Sequence, residues 1–164
     1  MPALFCLLFL LARPMLIMSP NDAVLQTQSA TPADWEAATV VLRELDAAYD
    51  ARDAARFSAL FVQEASFEFP VEGTRMRGRD EIRRVFAERF QSLAPEIRHV
   101  TTVRAVDAIL PGLLAVDFEV DIVGTDPKTG TTHTPLFHYS GVGLGVRTDS
   151  QWRIRLARVY RMTK

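Results

Sequence analysis

The sequence predicts an α+β fold in which helices pack on one face of an antiparallel sheet. Three observations carry this expectation. Apolar residues between Trp35 and Phe90 recur mainly at spacings of three and four, the period of amphipathic helices. After Pro95 the period changes to two and stays there through Arg161. Short turns separate the segments of period two, so successive strands should be antiparallel neighbours.

The elements follow in chain order. Residues 19–33 (SPNDAVLQTQSATPA) are polar and turn-rich and read as a linker, leaving residues 34–164 as the folded domain. Thr31-Pro32-Ala33-Asp34 supplies a helix start: a Thr cap, Pro at the first helical position and an acid three residues after the cap. Trp35, Ala38, Val41, Leu42, Leu45, Ala48 and Tyr49 form the apolar stripe of this long helix. Asp53 caps a short second helix carrying Phe57, Leu60 and Phe61. Ser66-Phe67-Glu68-Phe69 alternates like a strand stopped by Pro70, Gly73 to Gly78 is a turn region, and Asp80 opens a third helix with Ile82, Val85, Phe86 and Phe90 on one face. Ile97 to Ile109, Leu113 to Val123, Thr132 to Val146 and Trp152 to Arg161 then read as strands. Pro111-Gly112, Asp126 to Gly130 and Thr148-Asp149-Ser150 make the turns between them.

Ahead of the domain, Ala3 to Ala12 is an uninterrupted apolar run. Ten helical residues rise about 15 Å, half of a bilayer's ~30 Å hydrocarbon core, so no stable membrane span is expected. Two readings are open. The run has the length of a signal-peptide core, although no Lys or Arg precedes it, and the domain would then be secreted or periplasmic. Alternatively residues 1–33 are a leader from a misassigned start, and the domain is cytoplasmic. The single cysteine, Cys6, lies inside this run.

Composition excludes several classes of function. Of 164 residues, 48% are apolar and 24% charged, which is incompatible with wholesale disorder. Nineteen basic and 20 acidic residues give a net charge of −1, which removes the electrostatic argument for nucleic acid. One cysteine allows neither an internal disulfide framework nor a thiolate zinc cluster. The histidines are His99, His133 and His138, without metal-binding spacing; five residues apart on one strand, His133 and His138 point to opposite faces. Gly141-Val142-Gly143-Leu144-Gly145 lies within a strand, where a phosphate-binding loop would open a helix. No G-x-S-x-G elbow is present. The arginines between Arg75 and Arg89 are interleaved with Glu72, Asp80, Glu81 and Glu88 and read as a solvated face. No metal and no cofactor are expected.

Two constellations remain. Asp117, Glu119 and Asp121 alternate with Val116, Phe118, Val120 and Ile122, so the three carboxylates share one strand face, either toward solvent or toward a pocket. His138 and Ser140 share a face with Leu136, Val142, Leu144 and Val146, and Arg158, on the same face as Ile154 and Leu156, is expected to place a cation near the same cavity. An imidazole titrates near neutral pH, which makes His138 the leading candidate for proton transfer.

With these residues in place the chain resembles a known superfamily over roughly residues 34–162. The quoted features are Ala48-Tyr49-Asp50-Ala51-Arg52-Asp53, Ala59-Leu60-Phe61, Phe67-Glu68-Phe69-Pro70, Gly78-Arg79-Asp80-Glu81-Ile82 and Trp152-Arg153-Ile154. In this order they resemble a SnoaL-like domain of the nuclear transport factor 2-like superfamily, alongside ketosteroid isomerase and the SgcJ/EcaC type. The resemblance implies a cone-shaped, curved sheet wrapped around the long helix with two shorter helices, an apolar cavity in the cone, and a homodimer through the sheet. It also implies where the isomerase's catalytic groups would fall. Its oxyanion-hole tyrosine corresponds to Leu45 and its general-base aspartate to Phe69, while residues 127–148, which include the penultimate strand, contain no acid. Steroid isomerisation is therefore not carried over.

The expected cavity lining is Leu45, Tyr49, Phe69, His99, His138, Ser140 and Arg158. Two functions follow as expectations. One is a non-catalytic module holding a small apolar molecule or a partner domain. The other is a cofactor-independent acid–base enzyme of isomerase, cyclase or hydrolase type, with His138 as base or acid and Ser140 or Tyr49 donating a hydrogen bond.

Overall fold

The computed structural model describes residues 28–124, 128–129, 131 and 135–162. The apolar N-terminal run, Cys6 and His133 lie outside the described residues. The element order is β1 (Gln28–Ser29), α1 (Pro32–Asp50), α2 (Ala54–Ala59), β2 (Phe61–Phe69), β3 (Thr74–Arg77), α3 (Arg79–Gln91), β4 (Ile97–Leu110), β5 (Leu113–Gly124), β6 (Phe137–Thr148) and β7 (Gln151–Arg161).

Helix α1 begins where its capping chemistry dictates. The Thr31 hydroxyl accepts from the Asp34 N–H at 3.2 Å, and the Asp34 carboxylate accepts from the Thr31 N–H at 2.8 Å. Its C-terminus closes without glycine. Arg52 takes a left-handed φ of 56°, while the N–H groups of Asp53 and Arg52 donate to the carbonyls of Ala48 and Tyr49. The Arg52 guanidinium then donates to the carbonyls of Ala94 and Ile97, each at 2.8 Å, which ties the end of α1 to the start of β4. Ala38, Leu45, Ala48 and Tyr49 form the buried stripe.

The seven strands form one sheet in the order β1-β4-β5-β6-β7-β2-β3. The β4-β5-β6-β7 meander is antiparallel throughout, as short connections require. The β2–β7 pair is parallel, because the early strand β2 returns beside the last one. Helices and sheet together make an α+β fold with a curved, mostly antiparallel sheet.

Four element boundaries differ from the sequence expectation. Phe61 opens β2 instead of ending α2: Phe57 and Phe61 are both fully buried at helical spacing, yet Phe61 pairs with Ile154 of β7. Thr74–Arg77, expected as a turn, pairs with Ser66–Phe69, and only Met76 of this short polar strand is buried. β6 begins at Phe137, five residues after the expected start. Gln28–Ser29, within the segment read as a linker, adds a short edge strand to β4.

Aromatic packing closes the core under α2 and α3. The Phe57 ring centroid lies 4.1 Å from that of Phe86 and 5.7 Å from that of Phe61. Such pairs add about 0.5–1.5 kcal/mol beyond the burial of their area. On the sheet, Phe118 lies across Gly141, where a β-carbon would come within 2.5 Å of the ring. That close approach explains a glycine within β6.

Candidate functional site

Between α1 and the inner face of the sheet lies a cavity of about 380 Å³. Period-two alternation builds its floor: Val116, Phe118, Val120 and Ile122 of β5 point inward, as do Ala157 and Val159 of β7. Leu45 and Tyr49 of α1, with Phe69 of β2, form further parts of the wall.

His99 brings a titratable group to this apolar lining. Its side chain is 11% exposed, and its ring lies 4.5 Å from that of Tyr49. The ring Nδ1 is 2.6 Å from the Asp46 carboxylate. The same carboxylate accepts from the Thr101 N–H at 2.9 Å and the Thr101 hydroxyl at 2.6 Å. The Asp50 carboxylate accepts from the His99 N–H at 2.8 Å. An ionised carboxylate can only accept, so Nδ1 carries the proton and Nε2 is the basic nitrogen of the neutral ring. Burial pushes the Tyr49 phenol above its ordinary value, against the opposing pull of Arg89 and Arg52, so at neutral pH its hydroxyl is a proton donor. Thr101, Tyr139, Arg89 and Arg161 also line the cavity.

Four of the seven expected lining residues, Leu45, Tyr49, Phe69 and His99, border the cavity. His138, Ser140 and Arg158 do not; they lie on the outer face of the sheet. His138 Nδ1 is 2.7 Å from Asp121, its cross-strand neighbour, and its side chain is 34% exposed. Ser140 lies opposite Glu119, and Arg104 donates to the Glu119 carboxylate. The carboxylates of β5 therefore face away from the cavity.

Two physical causes displace these residues. On β6 the residues turned inward from the outset are Phe137, Tyr139, Gly141 and Gly143, and glycines give no apolar signal. Leu136, Val142, Leu144 and Val146 advertise an even-numbered core face, but Val142 lies on the outer face with Ser140 and His138, although Leu144 further along borders the cavity. On β7 an irregularity between Ile154 and Leu156 reverses the alternation, so Ile154 and Ala157 are both buried while Arg158 turns outward. Arg158 donates there to Glu68 at 2.8 Å. Glu68 is only 7% exposed and also accepts from Ser66 and Arg75. Burial alone would raise its pKa, but the hydrogen bonds from Ser66, Arg158 and Arg75 overcome this and hold it at about 2.

The sequence reading missed Asp46, Thr101, Arg89, Arg161, Phe137 and Tyr139. Asp46 and His99 are 53 residues apart, and no local pattern links them. Phe137 and Tyr139 carried a signal in their alternation, which the even-numbered apolar residues outweighed. Among the described residues no three His, Cys, Asp or Glu side chains converge as a metal site would require, and no helix is long and apolar enough to cross a membrane.

Comparison with known proteins bears on the family. No curated protein matches the chain. Solved structures share its fold. A cystatin-like-fold domain from Nostoc punctiforme superposes with a TM-score of 0.68 at 22% identity, over 82% of this chain and 81% of that one. A ketosteroid isomerase-like protein from Erwinia carotovora atroseptica gives 0.63 at 14% identity, over 82% and 100%. Aln2 from Streptomyces gives 0.66 at 19% identity, over 82% and 94%. At these identities the likeness concerns the fold alone. The family model for the SnoaL-like domain matches residues 42–164, from the middle of α1 onward, and the chain therefore belongs to the SnoaL-like domain family of the nuclear transport factor 2-like superfamily.

Proposed function

We propose that this protein holds a small, largely apolar molecule in the cavity between α1 and the sheet. The observation that carries this reading is a space of about 380 Å³ with apolar walls and a few polar groups along part of its lining. That is the size and character of small-molecule sites, which span about 300–1,000 Å³ and use few polar groups for orientation. Native mass spectrometry on protein purified from its source tests the proposal. The expected result is a non-covalent adduct that denaturing conditions remove. Absence of any adduct, together with no thermal stabilisation by a panel of apolar compounds, would refute it.

One observation favours a second reading, in which the bound molecule undergoes acid–base chemistry: the Asp46–His99 pair at the cavity beside Tyr49. Asp46 holds the Nδ1 proton, so Nε2 can take a proton from a carbon or hydroxyl acid. The Tyr49 hydroxyl supplies a hydrogen bond to the developing oxyanion. His138 has no part in this scheme, since it pairs with Asp121 on the outer face. Once a substrate is in hand, His99→Gln should lower turnover about 10²–10⁴-fold, the usual contribution of a positioned base, and His138→Gln should leave it unchanged. The opposite ranking of the two variants would overturn the assignment.

A further inference from the structure

Resting on the cavity-binding reading, we infer that the bound molecule is an amphipathic acid whose anionic head is received by Arg89 and Arg161.

Most arginines of the described fold have a polar partner. Arg56, Arg75, Arg84, Arg104, Arg155 and Arg158 each lie against a carboxylate. The guanidiniums of Arg89 and Arg161, both residues of the cavity lining, make no ion pair and no hydrogen bond among the described residues; those of Arg43, Arg77, Arg83 and Arg147 are equally unpaired but belong to residues that do not line this cavity. Each instead lies over aromatic faces. The Arg89 guanidinium carbon is 5.1 Å from the Phe69 ring centre and 5.5 Å from that of Phe86, and that of Arg161 is 4.3 Å from Phe137. Stacking on a ring holds a guanidinium in place while its N–H edge remains available for bidentate bonding to an acid.

The two arginines belong to one rim. Phe69 lies 6.4 Å from Tyr139, and Tyr139 lies 6.5 Å from Phe137, so an aromatic strip runs from beneath Arg89 to beneath Arg161. Tyr49 and His99 line the same cavity as the two arginines.

Local charge is mainly positive. Three arginines, Arg89, Arg153 and Arg161, are among the lining residues, against one acidic lining residue, Glu72, with the Asp46 carboxylate held behind His99. Arg153 is engaged with the Ala59 carbonyl and with Gln151. Glu72 is exposed in the β2–β3 turn and pairs with neither rim arginine. A cation in the last turn of α3 would favour that helix wherever it pointed. Helix stabilisation does not explain why Arg89 lines the cavity, nor why a second unpaired guanidinium from β7 joins the same rim. An apolar body with one acidic head satisfies both the walls and the rim.

A matched pair of probes tests this: 2-naphthaleneacetic acid and 2-naphthaleneethanol, titrated calorimetrically into the full-length protein. The expected result is that the acid binds about tenfold more tightly than the alcohol at low salt, and that the advantage shrinks at higher ionic strength. In an Arg89→Met/Arg161→Met variant the two probes should bind within about twofold of each other. Equal affinity of the two probes for the unmodified protein, or an acid preference that survives in the double variant, overturns the inference and leaves the cavity-binding reading standing. If neither probe binds, this inference falls, and native mass spectrometry decides the cavity-binding reading separately. Both arginines are exposed, and near-ultraviolet circular dichroism verifies that the variant folds.

Discussion

At the scale of single residues, the inner surface is shaped as much by missing side chains as by present ones. Gly141 leaves the space that the Phe118 ring fills, with the Arg158 carbonyl 3.0 Å from where a β-carbon would stand. Gly141→Ala should therefore lower stability by about 1–3 kcal/mol in urea unfolding, the usual range for overpacking. Phe118→Leu should reduce the cost of that added methyl group. Glu68 makes a separate prediction. Its carboxyl is held at about 2 in the folded chain, against an ordinary 4.5. Between those values the unfolded chain binds more protons than the folded one, so the contribution of Glu68 is complete above 4.5 and is lost as pH falls toward 2. Glu68→Gln should cost about 2 kcal/mol near neutral pH, less than the full shift implies because Arg75 and Arg158 are half in water. The gap from the unmodified protein should close on acidification, which urea titrations at a series of pH values would read.

At the scale of elements, local chemistry and tertiary packing contribute separately. The start of α1 follows from Thr31 and Asp34, which satisfy each other's backbone donors whatever else is near. Its end depends on distant partners. Arg52 accepts a left-handed conformation because its guanidinium reaches the Tyr49, Ala94 and Ile97 carbonyls. Arg52→Gly and Arg52→Ala should both destabilise. Alanine should be the worse by about 1 kcal/mol in thermal or urea unfolding, since both lose the bonds but only alanine keeps the backbone strain. Strand β7 shows where pattern reading fails. Its alternation is regular in sequence, but one irregularity after Ile154 sends every later residue to the other face. A bulge carries no composition of its own, so Arg158 could not be placed without its neighbours.

At the scale of the whole molecule, the cavity exists because a curved sheet and one long helix cannot pack flush along their full length. Its apolar walls come from strands that the period-two pattern identified, above all β5, whose apolar face the tertiary structure turns to the cavity. Its polar groups come from elements far apart in the chain: Tyr49 from α1, His99 from β4 with Asp46 of α1 behind it, Arg89 from α3 and Arg161 from β7. Val116→Trp, which places an indole in this space, should abolish ligand binding and any stabilisation a ligand confers. Without the substitution a ligand at 100 times its Kd stabilises by about 2.7 kcal/mol, readable as a shift in the unfolding midpoint.

The sequence alone determined the α+β class, the cap and apolar stripe of α1, the four-strand meander and the two-faced alternation of β5. These are properties of period, capping and turn chemistry, which act over a few residues. Tertiary structure alone decided which histidine meets the cavity. His99 does so because Asp46, 53 residues earlier, holds its ring there, and His138 does not, because glycines occupy the inner face of its strand. Contacts closed over such separations leave no local pattern to read.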